Sequence, residues 1–266
     1  MLPPILAYHL VDSRFDFGVT WITPRQFQRQ IQWLAENGYH TCALSDCLSS
    51  QKGAPARAIV ITFDDGYRAL LPRVLPILQQ FNFAATVFPV VEYIGKQNRW
   101  DYNLFGRRHE HLHWSELREL SAAGWEIGSH SMRHAYLPGL SARELHEDLH
   151  QSKKILEEHL QISIVHLSLP FGRGNQKVLD CARELGYRSV STLGQELSCA
   201  KTNAESSGSD LFVFHRRGVY LHDTLRSFRR RVQAPADSRR EHARQRAISF
   251  FSLGTIIWKA LPRIFR

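Results

Sequence analysis

Ala58-Ile59-Val60-Ile61-Thr62-Phe63-Asp64-Asp65-Gly66 is the stretch that decides the fold. Its run of apolar and β-branched residues lacks polar alternation, so it reads as a strand buried on both faces, as in a parallel sheet covered by helices. Two carboxylates and a glycine end it. Adjacent carboxylates there are costly unless a cation or a proton compensates them. A divalent metal on one carboxylate would leave the other as a base. The plain alternative is a capped Asp-Gly turn.

Strand-like and helix-like segments alternate on either side. Upstream, Met1-Leu2-Pro3-Pro4-Ile5-Leu6-Ala7-Tyr8-His9 reads as a short buried strand. Thr23-Pro24-Arg25-Gln26 reads as a capping box with proline in the first turn, opening a helix through Phe27, Ile31 and Leu34 that stops near Gly38. Downstream, Leu70, Val74, Ile77 and Leu78 predict a helix, residues 84–91 a strand, and 92–113 a long polar loop. A helix over 115–123 leads through Trp125-Glu126-Ile127-Gly128, a strand, into Ser129-His130. Ser141-Ala142-Arg143-Glu144 opens a helix to Leu160. Residues 164–169, 176–185 and 187–192 read as strand, helix and strand. This βα alternation predicts a parallel sheet or a (β/α) barrel.

Two further motifs stand at strand ends. In His130-Ser131-Met132-Arg133-His134, imidazoles at i and i+4 would share one side of a helical turn and could chelate a metal. The alternative is two solvated loop histidines. Leu169-Pro170-Phe171-Gly172 is by itself only a turn. His146-Glu147-Asp148-Leu149-His150 matches the H-E-x-x-H pattern of zinc proteases. However, both histidines lie one step round from the apolar stripe of Leu145, Leu149 and Leu156, so a solvated helix edge is the better reading. His109, His111 and His113 alternate in the long loop and read as a solvated loop or the rim of a groove.

Taken in order, T-F-D-D-G over 62–66, H-S-M-R-H over 130–134 and L-P-F-G over 169–172 resemble the polysaccharide deacetylases, the NodB-like carbohydrate esterases of family 4. The resemblance extends over about residues 3–228 and is nearest to the bacterial exopolysaccharide N-deacetylases. It implies a distorted (β/α)7 barrel with its site at the carboxyl ends of the strands. It also implies metal-dependent hydrolysis of acetyl groups on N-acetylated sugars of a polysaccharide or glycan precursor. Asp65, His130 and His134 would hold one divalent metal, zinc. Asp64 would be the general base, and the Phe171 backbone N–H would stabilise the oxyanion. Ser168 stands where the family often has an arginine that orients the base; Arg216 or Arg217 could replace it. The acid is His9, by similarity of Ala7-Tyr8-His9 to deacetylases of poly-N-acetylglucosamine, or His222, in Val219-Tyr220-Leu221-His222, with His9 favoured. Ser168 and the two candidate acids leave a second reading, a catalytically weak carbohydrate-binding relative.

Composition fits this class. The 266 residues are 43% hydrophobic and 22% charged, which excludes general disorder. Four cysteines, Cys42, Cys47, Cys181 and Cys199, are too few for a disulfide scaffold and form no C-x-x-C zinc ribbon. The net charge of +9 is unevenly spread. Residues 1–215 hold 21 Lys+Arg against 22 Asp+Glu, a net of −1; residues 216–266 hold 13 against 3, a net of +10. The extent of the resemblance makes residues 1–228 one catalytic domain, and 229–266 read as a basic, partly apolar tail. In the tail, Arg239–Arg246 precede Ile248, Phe250, Phe251, Leu253, Ile256, Ile257 and Trp258. That apolar stretch is too short to span a bilayer but fits peripheral membrane contact through residues 239–266. The basic run lacks a recognised nucleic-acid fold, so no nucleic-acid partner is expected. The N-terminus does not read as a signal peptide, and the expected location is cytoplasmic, at the inner face of the membrane.

Overall fold

The computed structural model describes residues 2–14, 20–49, 55–97, 108–193 and 211–234. In chain order the elements are β1 (Ile5–Tyr8), α1 (Pro24–Glu36), β2 (His40–Thr41), α2 (Leu44–Ser49), β3 (Ala58–Asp65), α3 (Leu70–Arg73), α4 (Leu75–Gln80) and β4 (Thr86–Pro89). They continue as α5 (Trp114–Ala122), β5 (Glu126–Ile127), α6 (Ala142–Leu160), β6 (His166–Ser168), α7 (Gln176–Glu184), β7 (Ser189–Leu193), β8 (Phe212–Gly218) and α8 (Leu225–Gln233).

Seven strands pair in parallel in the order β5-β4-β3-β1-β8-β7-β6, and β2 pairs with β3 off this path. A parallel bridge between Ser129 and Leu167 joins the ends of β5 and β6, with Ser129 N donating to His166 O at 2.9 Å and Ser168 N to Ser129 O at 2.8 Å. The result is a nearly closed parallel barrel of seven strands, as the (β/α)7 reading expects. All eight residues of β3 are buried. Alternation along each strand sorts them into two sets. Leu6, Tyr8, Ile59, Ile61, Phe63, Val87, Ile127, Leu167 and Val190 pack into the large core shared with the helices. Ile5, Val60, Phe88 and Phe214 form a separate cluster with Leu44 and Cys47 of α2, in the barrel interior. Higher in that interior, Thr62, Asp64, Ser168, Ser191 and Arg216 are buried polar groups.

Several local readings change in the structure. Thr23 caps α1 by accepting from Gln26 N at 3.1 Å, but Gln26 Nε2 reaches instead to the carbonyls of Leu221 (3.2 Å) and Asp223 (2.8 Å), tying α1 to the turn before α8. The helix over residues 70–80 is two short helices. Pro76, in the first turn of α4, cannot donate to the carbonyl four residues back, and the helix breaks at Val74. Ser141 and Glu144 form the complete capping box expected of them. α8 runs across the 228/229 boundary with Phe228, Arg231 and Val232 buried. Arg231 pairs with buried Asp223 at 2.6 Å, and Arg217 donates to the carbonyls of Arg231, Val232 and Ala234 at the end of α8. Part of the +10 counted from residue 216 onward is therefore internal structural charge and not tail. Residues 235–266, where the membrane reading falls, lie outside the described residues.

Candidate active site

The barrel brings the motif residues together at the carboxyl ends of β3, β5 and β6. Asp65 and Gly66 both take positive φ, 68° and 69°. A Cβ on Gly66 would lie 2.8 Å from Pro89 Cα, so only glycine allows the chain to turn so closely past β4. The turn leaves Asp64 facing the barrel interior and Asp65 facing the two histidines.

His130 and His134 do not sit on a helical turn. They lie in a loop with Ser131 at φ 67° and His134 at φ 53°. Side-chain bonds hold it: His134 N donates to Ser131 Oγ at 3.0 Å, Ser131 N to Ser129 Oγ at 3.2 Å, and Met132 N to Asp148 Oδ1 at 2.8 Å. A helix could not supply these bonds and also turn both rings inward. Asp65 Oδ1 is 3.5 Å from His130 Nε2 and 3.6 Å from His134 Nε2. Tetrahedral zinc with ligand distances of about 2.0–2.1 Å separates its ligand atoms by about 3.3 Å, so the trio fits a divalent metal. His130 Nδ1 contacts Ser168 O at 2.9 Å, which fixes that nitrogen as the protonated one and leaves Nε2 with its lone pair toward Asp65. Asp65, His130 and His134 are the only such trio of potential ligands among the described residues, and all three are buried.

Asp64 has a different surrounding. Arg216, on β8, is 2% exposed and donates from Nη1 to Asp64 Oδ1 at 2.7 Å and from Nη2 to Asp64 Oδ2 at 2.8 Å. The same guanidinium donates to Thr62 Oγ1 at 3.1 Å and Ser168 Oγ at 2.8 Å, and lies 5.5 Å from the Phe88 ring centre. Ser168 Oγ in turn donates to Asp64 Oδ1 at 3.0 Å. Arg216 rather than Arg217 thus stands where the missing arginine was sought, and it comes from a different strand. Ser168 is part of the same network. Burial alone would raise Asp64, but Arg216, then His130 and His9, hold its carboxyl well below the usual carboxylate range. It is an ion held by a bidentate fork.

His9 Nε2 is 3.8 Å from Asp64 Oδ2. Burial pushes its imidazole down to about 4 against the opposing pull of Asp64. It is therefore neutral near pH 7. His222 is exposed, stacked parallel to Tyr220 with ring centres 5.9 Å apart. Phe171 has φ 60° and packs its ring edge-on to His134 at 4.8 Å. Behind it, a Cβ on Gly172 would meet Leu193 N at 2.6 Å, so this turn is pressed against β7.

Two residues in the site's surroundings, His111 and Asp148, were not singled out for it from the sequence, and Arg216 was offered only beside Arg217. Arg216 shares the inward face of β8 with Phe214, a parity that could have decided between them. His111, read as solvated, is 1% exposed and contacts Asp65 O through Nδ1 at 2.8 Å, between the rings of Tyr67 and Tyr93. It holds the left-handed turn at Asp65. Asp148, inside the H-E-x-x-H match, is buried and supports the histidine loop, whereas His146 and His150 are exposed and stacked at 5.7 Å.

Residues 51–190 match the polysaccharide deacetylase family, more than half of the chain. The chain belongs to that family. It is 28% identical over 216 residues to YxkH of Bacillus subtilis (strain 168), which carries a provisional polysaccharide deacetylase name; the match covers 80% of this chain and 70% of that one. It is 27% identical over 231 residues to the poly-beta-1,6-N-acetyl-D-glucosamine N-deacetylase of Escherichia coli (strain K12), covering 73% of this chain and 34% of that one. This polysaccharide deacetylase therefore spans about a third of the E. coli relative. Its fold is shared with the Streptococcus pyogenes deacetylase PplD, with a TM-score of 0.70, 19% identity, and coverage of 87% of this chain and 98% of that one.

Proposed function

We propose that the protein is a metal-dependent hydrolase that removes the acetyl group from N-acetylated sugars of a polysaccharide or glycan precursor. The observation that carries this reading is the pairing at one barrel mouth of a ligand trio, Asp65, His130 and His134, with an ionised carboxylate, Asp64, beside it. A divalent cation bound by that trio would supply Lewis acidity to the acetamide oxygen and to the attacking water. The remaining roles belong to the chain. Arg216 and Ser168 hold Asp64 ionised and aimed. Asp64 takes a proton from the water as it attacks the carbonyl carbon. The Phe171 N–H donates to the oxygen on which charge develops. The C–N bond then breaks, and the amine nitrogen needs a proton. His9 is neutral at rest, so it acts as a relay: it receives the proton held by Asp64 and passes it to the amine. The products are acetate and a free amino sugar. The match to a poly-N-acetylglucosamine deacetylase favours a β-linked N-acetylglucosamine polymer as substrate.

Incubation with N-acetylglucosamine oligomers of β-1,4 and β-1,6 linkage tests the reading. Acetate and primary amine should appear in equal amounts. Tight oligomer binding with no acetate from any acetylated glycan, despite bound metal, would instead mark a carbohydrate-binding relative.

A further inference from the structure

The barrel carries a strongly basic side wall that the proposed reaction does not use. Helices α1 and α8 pack side by side: Trp33 of α1 meets Phe228 of α8 edge-on at 6.1 Å, and the Arg229 guanidinium lies 5.4 Å from the Trp33 ring centre. Arg25 and Arg29 are four residues apart on α1, on the side away from Phe27 and Ile31. Arg226 and Arg230 lie on the side of α8 away from Phe228 and Val232, and Arg229 sits at the edge of that side, over Trp33. All five are exposed, and among the described residues none is in an ion pair. The opposing charge on the two helices is a single exposed acid, Glu36 at the end of α1, which accepts from Gln32 at 2.8 Å. Nearby Asp223 is buried and already paired with Arg231.

We propose that this α1–α8 arginine wall docks on an anionic lipid surface. Charge is the first argument: clustered arginines facing water attract an anionic leaflet. The second is continuity. α8 ends at Gln233, and residues 235–266 hold seven Lys+Arg against two Asp+Glu, four of the arginines standing ahead of Ile248, Phe250, Phe251, Ile257 and Trp258. A nucleic acid or an acidic glycan would match the arginines alone, whereas a bilayer matches both the charges and the apolar residues that follow them. Both helices run back along the barrel wall after their strands. Docking on that wall lays the barrel on its side, with its mouth opening along the membrane plane. The inference concerns placement and stands apart from the reaction.

Co-sedimentation of the full chain with phosphatidylcholine vesicles, with and without phosphatidylglycerol, tests it. The wild type should bind only the anionic vesicles, and added salt should release it. An Arg25→Glu/Arg29→Glu/Arg226→Glu variant should lose roughly fivefold in partitioning per arginine, on the order of a hundredfold together, with an unchanged melting temperature. A second variant with Arg239, Arg240, Arg244 and Arg246 reversed to Glu isolates the downstream run. The proposal is overturned if the wild type does not bind anionic vesicles. It is equally overturned if the folded α1–α8 variant binds like the wild type while only the second variant is lost, or if the wild type prefers duplex DNA or an acidic polysaccharide to the vesicles.

Discussion

Arg216 decides how Asp64 behaves. A buried carboxylate without a partner would be protonated and useless as a base; the two-pronged contact from β8 keeps it ionised and fixes both of its oxygens. Lysine would retain the charge but lose the fork that also reaches Thr62 and Ser168. Arg216→Lys should therefore keep its metal yet lose on the order of 10²-fold in kcat, as misplacement of a reacting group by about 1 Å does. Arg216→Ala should also lose about 3–5 kcal/mol of stability, because it leaves a buried charge unpaired. Turnover, metal content and thermal melting of the two variants check this; equal kcat in wild type and Arg216→Lys would remove the positioning role. His9 and His222 separate in the same assay. His9→Ala should lose on the order of 10²–10⁴-fold in turnover with metal still bound, while His222→Ala stays near wild type; the reverse pattern would move the acid to the β8–α8 turn. Asp64, Asp65, His130 and His134 could be picked out from the sequence because short motifs carry them. Arg216 could only be offered beside Arg217, since the contact crosses the barrel from β8 to β3 and β6 and nothing local reports it. His111 looked like a loop residue because its burial comes from Tyr67 and Tyr93, distant in sequence.

At the level of elements, Glu126 ties β5 to α2 and to the neighbouring strands β4 and β6. It starts β5 and accepts from Leu44 N at 2.7 Å and Ser45 N at 3.2 Å, holding the first turn of α2. Thr86 Oγ1 donates to it at 3.1 Å, and His166 Nε2 lies 3.6 Å away. Burial would raise its pKa, but His166, Ser45 and the Leu44 N–H together take it from an ordinary 4.5 down to about 2. A carboxylate depressed in the fold stabilises it fully above its unfolded pKa and loses that stabilisation as pH falls through the folded one. The window here runs from 4.5 down to 2 and is worth about 3 kcal/mol. Glu126→Gln should be less stable at pH 7 and should show a shallower loss of melting temperature across that window. An unchanged acid slope would mean that Glu126 does not carry this stabilisation. Long elements were legible where period and caps agreed: α1, α6 and α7 start and stop close to where Thr23, Ser141 and Gly186 suggested. Two others were missed. The six-residue α2 is too brief to show a period, and β8 carries two arginines that mask its alternation of buried and exposed residues.

On the scale of the whole molecule, the alternation of strands and helices was enough to predict a parallel sheet or a (β/α) barrel, because each apolar strand needed helical cover; the seven-stranded barrel itself was implied by the family resemblance. The sequence could not show that the seam between β5 and β6 closes through one bridge at Ser129 and Leu167. Nor could it show that the upper interior is a polar network rather than a packed apolar layer. Those two features turn the barrel into a site: the seam places His130 beside Ser168, and the network carries Arg216 to Asp64. The central claim is that hydrolysis depends on a cation held by Asp65, His130 and His134. Acetate release from N-acetylglucosamine oligomers by chelator-treated protein, resupplied with zinc in steps, tests it most directly. The account predicts no release after chelation and full recovery at one zinc per chain, with Asp65→Ala failing to recover. Equal release with and without metal, or full recovery in Asp65→Ala, would contradict it.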